Sequence, residues 1–267
     1  MLDATDLHAS YGHIAVLQGL SARFQTGRVT ALVGPNGCGK STLLKTIMGF
    51  VPLSSGRISL GDRLIGAIGR RELARRISYL PQECHCPDYM TLGELIELAG
   101  YARYGLGGGP SERDRALFAE ALKTVGLEDK ARAQVNTLSG GQRQRAFIAM
   151  VLAQDTEVIL MDEPVNHLDM KYQYAVLSLV RELTDRHGKT VIVVLHDLNL
   201  ASTFADDVIM LKAGRVLASG PVANTVTSAN VADVFDLEAD IFSRQGRLIC
   251  VPRLERQEQA IPACHLK

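Results

Sequence analysis

One stretch restricts this chain more than any other: Gly34-Pro35-Asn36-Gly37-Cys38-Gly39-Lys40-Ser41-Thr42. It fits G-x-x-x-x-G-K-[ST], a phosphate-binding loop that needs a buried strand before it and a helix after it. Both flanks are present. Val29-Thr30-Ala31-Leu32-Val33 reads as a buried strand, and Leu43-Leu44-Lys45-Thr46-Ile47-Met48 reads as a helix. Glycines let the backbone curl until successive N–H groups point inward at phosphate oxygens. The positive end of the following helix adds to the attraction. In this pattern Lys40 reaches the β- and γ-phosphates, and the Ser41 hydroxyl ligates Mg²⁺. All nine residues of the stretch are candidate nucleotide contacts in an α/β fold.

Three other apolar runs end in residues suited to such a site. Val158-Ile159-Leu160-Met161 ends in Asp162-Glu163-Pro164. A strand delivering a carboxylate beside a phosphate loop lets Asp162 hold Mg²⁺, and Glu163, one residue on, is placed to orient and deprotonate the attacking water. Ile77-Ser78-Tyr79-Leu80 stops at Pro81 and is followed by Gln82; Thr190–Leu195 ends at His196. In open α/β sheets ligands collect at the carboxyl ends of strands. Gln82 can therefore reach a nucleotide or its Mg²⁺, and His196 can stabilise a γ-phosphate. Taken singly, a strand-end Gln or His is more often structural. Tyr11, before Gly12, is either a platform for a purine ring or a surface tyrosine beside a turn.

The rest of the chain predicts how these pieces are arranged. Residues 2–24 read as paired strands, with Ala15–Leu17 and Leu20–Phe24 flanking Gln18-Gly19. Ser54-Ser55-Gly56 reads as a turn into a strand at Arg57–Leu60, and Arg70–Arg76 as a short basic helix. Residues 88–153 change character and read as an inserted helical subdomain. Thr91/Glu94 is a capping box, and Ser111 caps a second helix with Asp114 three residues on. Gly105–Pro110 reads as the loop between them. The insert ends in Leu138-Ser139-Gly140-Gly141-Gln142, where Ser139 and Gln142 form another capping box and two glycines expose N–H groups as a second anion site. Asp169 caps a helix from Met170 to about Arg186. Val208–Leu211 and Arg215–Ala218 read as a hairpin, with a helix near Asn230–Phe235 and a strand near Leu248–Val251. The ATPase domain is expected over 1–250, with a polar tail over 251–267.

Composition narrows the partners. Lys plus Arg equals Asp plus Glu at 29 each, so no strong field is available to hold nucleic acid. No apolar run approaches the roughly 20 residues of a membrane span. The acidic start, Met1–Asp6, lacks a signal-peptide core. Five scattered cysteines argue against a disulfide framework. Cys84-His85-Cys86 lacks the second ligand pair of a structural zinc site. Cys38, inside the phosphate loop, is a candidate oxidation liability.

Taken together, the phosphate loop, Leu138–Gln142 and Leu160–Pro164 resemble the ATPase subunit of ABC transporters in motif and in order, over about the first 220 residues. The resemblance implies a RecA-like core sheet with an antiparallel β subdomain and a helical signature subdomain. It implies that ATP binds with Mg²⁺, that Tyr11 stacks on adenine, and that Gln82 links the Mg²⁺ site to a membrane partner. It implies that Asp169 faces another subunit and that His196 is the switch histidine. Ser139 and Gly141 then contact ATP held by an opposing copy, with Gly140 and Gln142 beside them. Leu73–Gln82 and His196-Asp197-Leu198-Asn199 resemble importers of iron–siderophores, haem and cobalamin. That group implies two permease subunits, a substrate-binding protein, a homodimer of ATPase subunits and a place at the cytoplasmic face of the inner membrane. Gly100–Leu106 departs from the group's pattern. The alternatives are an importer of metal ions or other solutes, and a soluble ABC ATPase acting on nucleic acid or ribosomes.

Overall fold

The computed structural model describes residues 1–104, 108–166 and 168–253. Part of the expected loop, 105–107, and the tail after 253 lie outside the described residues.

One sheet forms before the helical region, and a second draws strands from both sides of it. Strands β1 (Leu2–Tyr11), β2 (Ile14–Phe24), β4 (Ser55–Leu60) and β5 (Arg63–Leu64) make an antiparallel sheet in the order β2-β1-β4-β5. The second sheet takes β3 (Val29–Val33), β6 (Ile77–Leu80), β7 (Val158–Met161), β8 (Thr190–Val194), β9 (Asp207–Lys212) and β10 (Arg215–Pro221). Its order is β10-β9-β3-β8-β7-β6, parallel throughout except for the β9–β10 hairpin. This is the expected α/β architecture with its antiparallel β subdomain.

Strands β3, β7 and β8 are buried at every residue, as parallel strands covered on both faces must be. Alternation divides their side chains. Ala31, Val33, Ile159, Met161, Val191 and Val193 join a core with the helices of one face. Leu32, Val158, Leu160, Ile192 and Val194 join a second core under the antiparallel sheet and α1 (Lys40–Ile47). Each such side chain contributes about 1.5–3 kcal/mol by leaving water, so a one-residue slip in any of these strands is strongly disfavoured. The parity of β7 has a consequence for the site. Asp162, next after Met161, shares the side of Val158 and Leu160, the side on which α1 lies.

The first core is built with α3 (Leu92–Glu97), α4 (Glu112–Thr124), α5 (Gly140–Ala153), α6 (Met170–His187) and α7 (Leu198–Phe204); α2 (Arg70–Arg76) contributes Leu73 to the second. The three capping boxes form as the sequence predicts, at Thr91/Glu94, Ser111/Asp114 and Ser139/Gln142. Asp169 caps α6, and Gly188 ends it in a left-handed conformation. After α8 (Val222–Thr225) and α9 (Ser228–Phe235), β11 (Ala239–Arg244) and β12 (Arg247–Pro252) pair as a separate hairpin.

Three local expectations are corrected. Gln18-Gly19 is no break: β2 runs through it, and Gly19 at φ 77° is the extra residue of a bulge between the Leu7–Leu20 and His8–Gln18 pairs. Strand β4 begins at Ser55, so Ser55 and Gly56 belong to it rather than to a turn. Strand β11, with only two large apolar residues, Ile241 and Phe242, is a strand the sequence does not predict; its partner β12 supplies the pairing.

Candidate functional site

Four chain segments leave the carboxyl ends of adjacent parallel strands at one edge of the large sheet. They are the phosphate loop after β3, His196 after β8, Asp162-Glu163 after β7 and Gln82 after β6. A cleft of about 670 Å³ opens there, lined by Lys40, Ser41, Gln82, Glu163 and His196 among others.

The loop is held by its glycine geometry. Gly34 lies at φ 149°, and a Cβ there would sit 2.2 Å from the Leu211 carbonyl oxygen. No larger residue fits without moving β9. Gly37 faces open space instead. Gly39 starts α1 in a left-handed conformation and supplies no side-chain cap, so the first-turn N–H groups keep no side-chain partner. The Lys40 ammonium is buried and donates to the carbonyls of Gly34 (2.8 Å) and Pro35 (2.9 Å), spanning the loop from within. Burial raises the pKa of the Cys38 thiol, against the pull of Lys40. The neutral, buried thiol is a poor nucleophile, which reduces the oxidation liability expected from sequence.

Ser41 Oγ donates to Asp162 Oδ1 at 2.8 Å, across the sheet edge that strand parity predicts. The Tyr79 hydroxyl donates to Asp162 Oδ2 at 3.3 Å. Burial of Asp162 raises its carboxyl pKa, while these two hydrogen bonds pull it back. Burial and the neighbouring Asp162 charge raise the Tyr79 pKa, which keeps its hydroxyl protonated as a donor. Two hard oxygens side by side in a buried setting match the donor set that Mg²⁺ prefers.

Glu163 collects three side-chain partners at this edge. It is buried, with φ at 53°. Oε1 meets His196 Nε2 at 2.5 Å, and Oε2 accepts from Gln82 Nε2 at 2.6 Å. Oε2 also accepts from Asn166 Nδ2. The structure therefore brings Gln82, Glu163 and His196 into one hydrogen-bonded group beside the Ser41–Asp162 pair.

Other candidates lie apart. Of Ser139, Gly140, Gly141 and Gln142, none lines the phosphate-loop cleft; Gly140 lines a neighbouring cleft of about 510 Å³ that shares Gln82, Glu163 and Asn166 with it. Ser139 Oγ accepts from Gln142 N at 3.3 Å, and Gln142 Oε1 accepts from Ser139 N at 3.1 Å. Asp169 is exposed and accepts from Tyr172 N. Tyr11 is half-exposed at the end of β1, paired with Ile14 across the hairpin; Val16 on the same hairpin lines the cleft. Cys84 donates to the Pro81 carbonyl at 3.4 Å, and burial lifts its pKa to about 11. Sequence reasoning missed Tyr79 and Asn166. Tyr79 carried a signal, since alternation along β6 sets it on the side opposite Leu80. Asn166 carried none, because its contact depends on a turn closed by Glu163 itself.

A glycine-built phosphate loop between strand and helix, with a carboxylate pair on the neighbouring strand end, defines a P-loop nucleoside triphosphatase. The ABC transporter model matches residues 17–166. The petrobactin import ATP-binding protein FpuD of Bacillus anthracis is 37% identical over 253 residues, covering 94% of this chain and 93% of that protein. The ferric enterobactin transport ATP-binding protein FepC of Escherichia coli (strain K12) is 38% identical over 240 residues, 90% of this chain and 89% of that one. Among solved structures, an inward-facing ABC transporter of metal-chelate type superposes with a TM-score of 0.81 at 26% identity, over 95% of this chain and 97% of that one. The dimeric structure of MJ0796, a bacterial ABC transporter cassette, superposes at 0.75 with 31% identity, over 83% and 99%. The chain belongs to the ABC transporter family, as an ATP-hydrolysing subunit. Among the described residues, no helix is long and apolar enough to cross a membrane.

Proposed function

We propose that this chain powers an importer of iron chelates of the siderophore or haem type by hydrolysing ATP at the sheet edge. The observation that carries the catalytic part is the convergence of Gln82 and His196 on Glu163, beside the Ser41–Asp162 pair. The relatives' names support the substrate class. Glu163 Oε is the group that takes a proton from the attacking water. His196 Nε2 and Gln82 Nε2 hold that carboxylate in the free chain; with ATP in the cleft, His196 turns to the γ-phosphate and Gln82 to the cation. Lys40 leaves the Gly34 and Pro35 carbonyls for the β- and γ-phosphates. Mg²⁺ held by Ser41 and Asp162, with Gln82 alongside, supplies charge neutralisation at the phosphate oxygens. Tyr11 stacks on the adenine.

The working unit is a pair of these chains. Ser139 and Gly141 of one copy complete the ATP site of the other, with Asp169 at the joint; that neither lines the chain's own phosphate-loop cleft supports this. Two permease subunits and a substrate-binding protein complete the importer, and the pair sits on the permease at the cytoplasmic face of the inner membrane. Nucleic acid has no part in the cycle. The domain runs over 1–250, its helical signature subdomain over 88–153.

The test is isolation of the tagged protein from native membranes in mild detergent. Co-purification of a polytopic permease, and of a binding protein loaded with an iron chelate or haem, is expected. The same permease with a free metal ion or an organic solute would overturn the substrate class. Ribosomes or other soluble partners alone would overturn import. In the isolated complex, Glu163→Gln should bind ATP and scarcely turn it over; wild-type turnover would remove Glu163 as the base.

A further inference from the structure

We propose that Asn166 is a positioning residue for ATP hydrolysis: its side-chain amide orients the Glu163 carboxylate. This rests on the reading of Glu163 as the base. The carboxylate has three donors in the free chain, and they differ in origin. Gln82 comes from the end of β6, 81 positions away in sequence, and His196 from the end of β8. Both have other work once nucleotide is bound, at the cation and at the γ-phosphate. Asn166 is bound to Glu163 by the chain itself. Its backbone N–H donates to the Glu163 carbonyl at 3.3 Å and closes a turn, while its Nδ2 donates to Oε2 of the same residue. One residue therefore ties both ends of the glutamate, its backbone amide holding the carbonyl and its short side chain the carboxylate, whatever the other strands do.

Glu163 needs such a tie. Its backbone lies at φ 53°, a region that L residues other than Asn, Asp and Gly seldom occupy, so the peptide plane that launches its side chain is set by the turn. A carboxylate left with a free rotamer spends only part of its time facing the water it must deprotonate. A hydrogen bond to a charged acceptor is stronger than one between neutral groups, so it can hold the carboxylate in one rotamer. Asn166 is half-buried and lines both clefts, so it stands between the phosphate-loop side and the signature side of Glu163. A simple turn-stabilising role uses only its backbone N–H and leaves Nδ2 without purpose.

The experiment is steady-state and single-turnover ATPase measurement on the intact transporter complex carrying Asn166→Asp, Asn166→Ser, Glu163→Gln and the Glu163→Gln/Asn166→Asp pair. Asn166→Asp keeps the shape and the backbone turn but sets a second carboxylate against Glu163. It should lower kcat by about tenfold to a hundredfold, with KM for ATP and the melting temperature unchanged. Asn166→Ser, which retains a short donor, should recover part of the rate. On Glu163→Gln, Asn166→Asp should cost nothing further in single turnover, because there is no base left to orient. Wild-type kcat in Asn166→Asp, or an undiminished loss on the Glu163→Gln background, would overturn the assignment. If Asn166→Asp fails to fold, Asn166→Ala with added Asn166→Ser for comparison reads the same kcat against KM split; equal rates in the two would also overturn it. The two readings fail separately. Wild-type turnover in Glu163→Gln removes the base, whereas an inert Glu163→Gln beside a fully active Asn166→Asp removes only this inference.

Discussion

Two helices in this molecule begin at glycine-rich turns, the two candidate anion sites of the sequence, and they are built in opposite ways. Helix α1 starts at Gly39, which offers no side-chain cap; its loop is crowded at Gly34 and its cavity is lined by Lys40, Ser41 and Glu163. Helix α5 starts at Ser139 with a complete capping box, and Gly140 there has open space around it. The first leaves backbone N–H groups for a phosphate and surrounds them with chemistry. The second satisfies the N–H groups of Ser139 and Gln142 through its capping box and presents the exposed Gly140 beside them at the surface. One turn is enclosed by tertiary contacts within the chain, and the other stands open at Gly140.

The contrast can be broken most severely at Gly34. Gly34→Ala forces a Cβ into the Leu211 carbonyl, so a loss of more than about 4 kcal/mol, or of soluble protein, is expected in denaturant titration. A stable, ATP-binding variant would mean the loop is not crowded. Next in size, Glu163→Gln should reduce turnover by roughly a thousandfold while a fluorescent ATP analogue still binds. At the other helix the same glycine-to-alanine change separates stability from function. Gly140→Ala should stabilise the free chain by about 0.5–1 kcal/mol through helix propensity. If the proposed pairing holds, it should also slow ATP turnover in the assembled pair, because a Cβ would be added to the open face at Gly140. Equal turnover would place the signature outside the reaction. Ser139→Ala removes the cap and should cost about 1 kcal/mol in thermal unfolding.

The smallest effect concerns acid. Burial raises the pKa of Asp114, but hydrogen bonds from Ser111 and Arg103 outweigh it and hold the carboxyl below its ordinary value of 3.8. A carboxylate depressed in the folded state stabilises above its unfolded pKa, and that stability is lost as pH falls through the folded value. Asp114→Asn should therefore be less stable than wild type at neutral pH and converge with it below pH 3.8. Parallel melting curves from pH 7 to pH 2 check this.

Much of this was legible because the information was local. The phosphate loop is recognised by its flanks, Val29–Val33 and Leu43–Met48, and the three capping boxes by residues three apart. Strand ends at Gln82, Asp162 and His196 were visible as apolar runs that stop. Other features depended on partners remote in sequence. Gly19 reads as a turn until β1 lies beside it and requires a bulge. Strand β11 holds only a short apolar pair, Ile241 and Phe242, and is paired by β12. Asn166 looks like any loop polar residue until Glu163 turns left-handed and its carboxylate meets the amide.

The linear order of residues determined the elements, the loop that takes phosphate, and which residues stand at strand ends, since propensity, capping and alternation act over a few positions. Only the tertiary structure decided that Gln82 and His196 meet on the Glu163 carboxylate while Ser139–Gln142 lines no part of the same chain's phosphate-loop cleft. That outcome follows from strand order and from the way α5 packs in the helical core. Both are set by burial of apolar faces from distant parts of the chain, which a window of sequence does not contain.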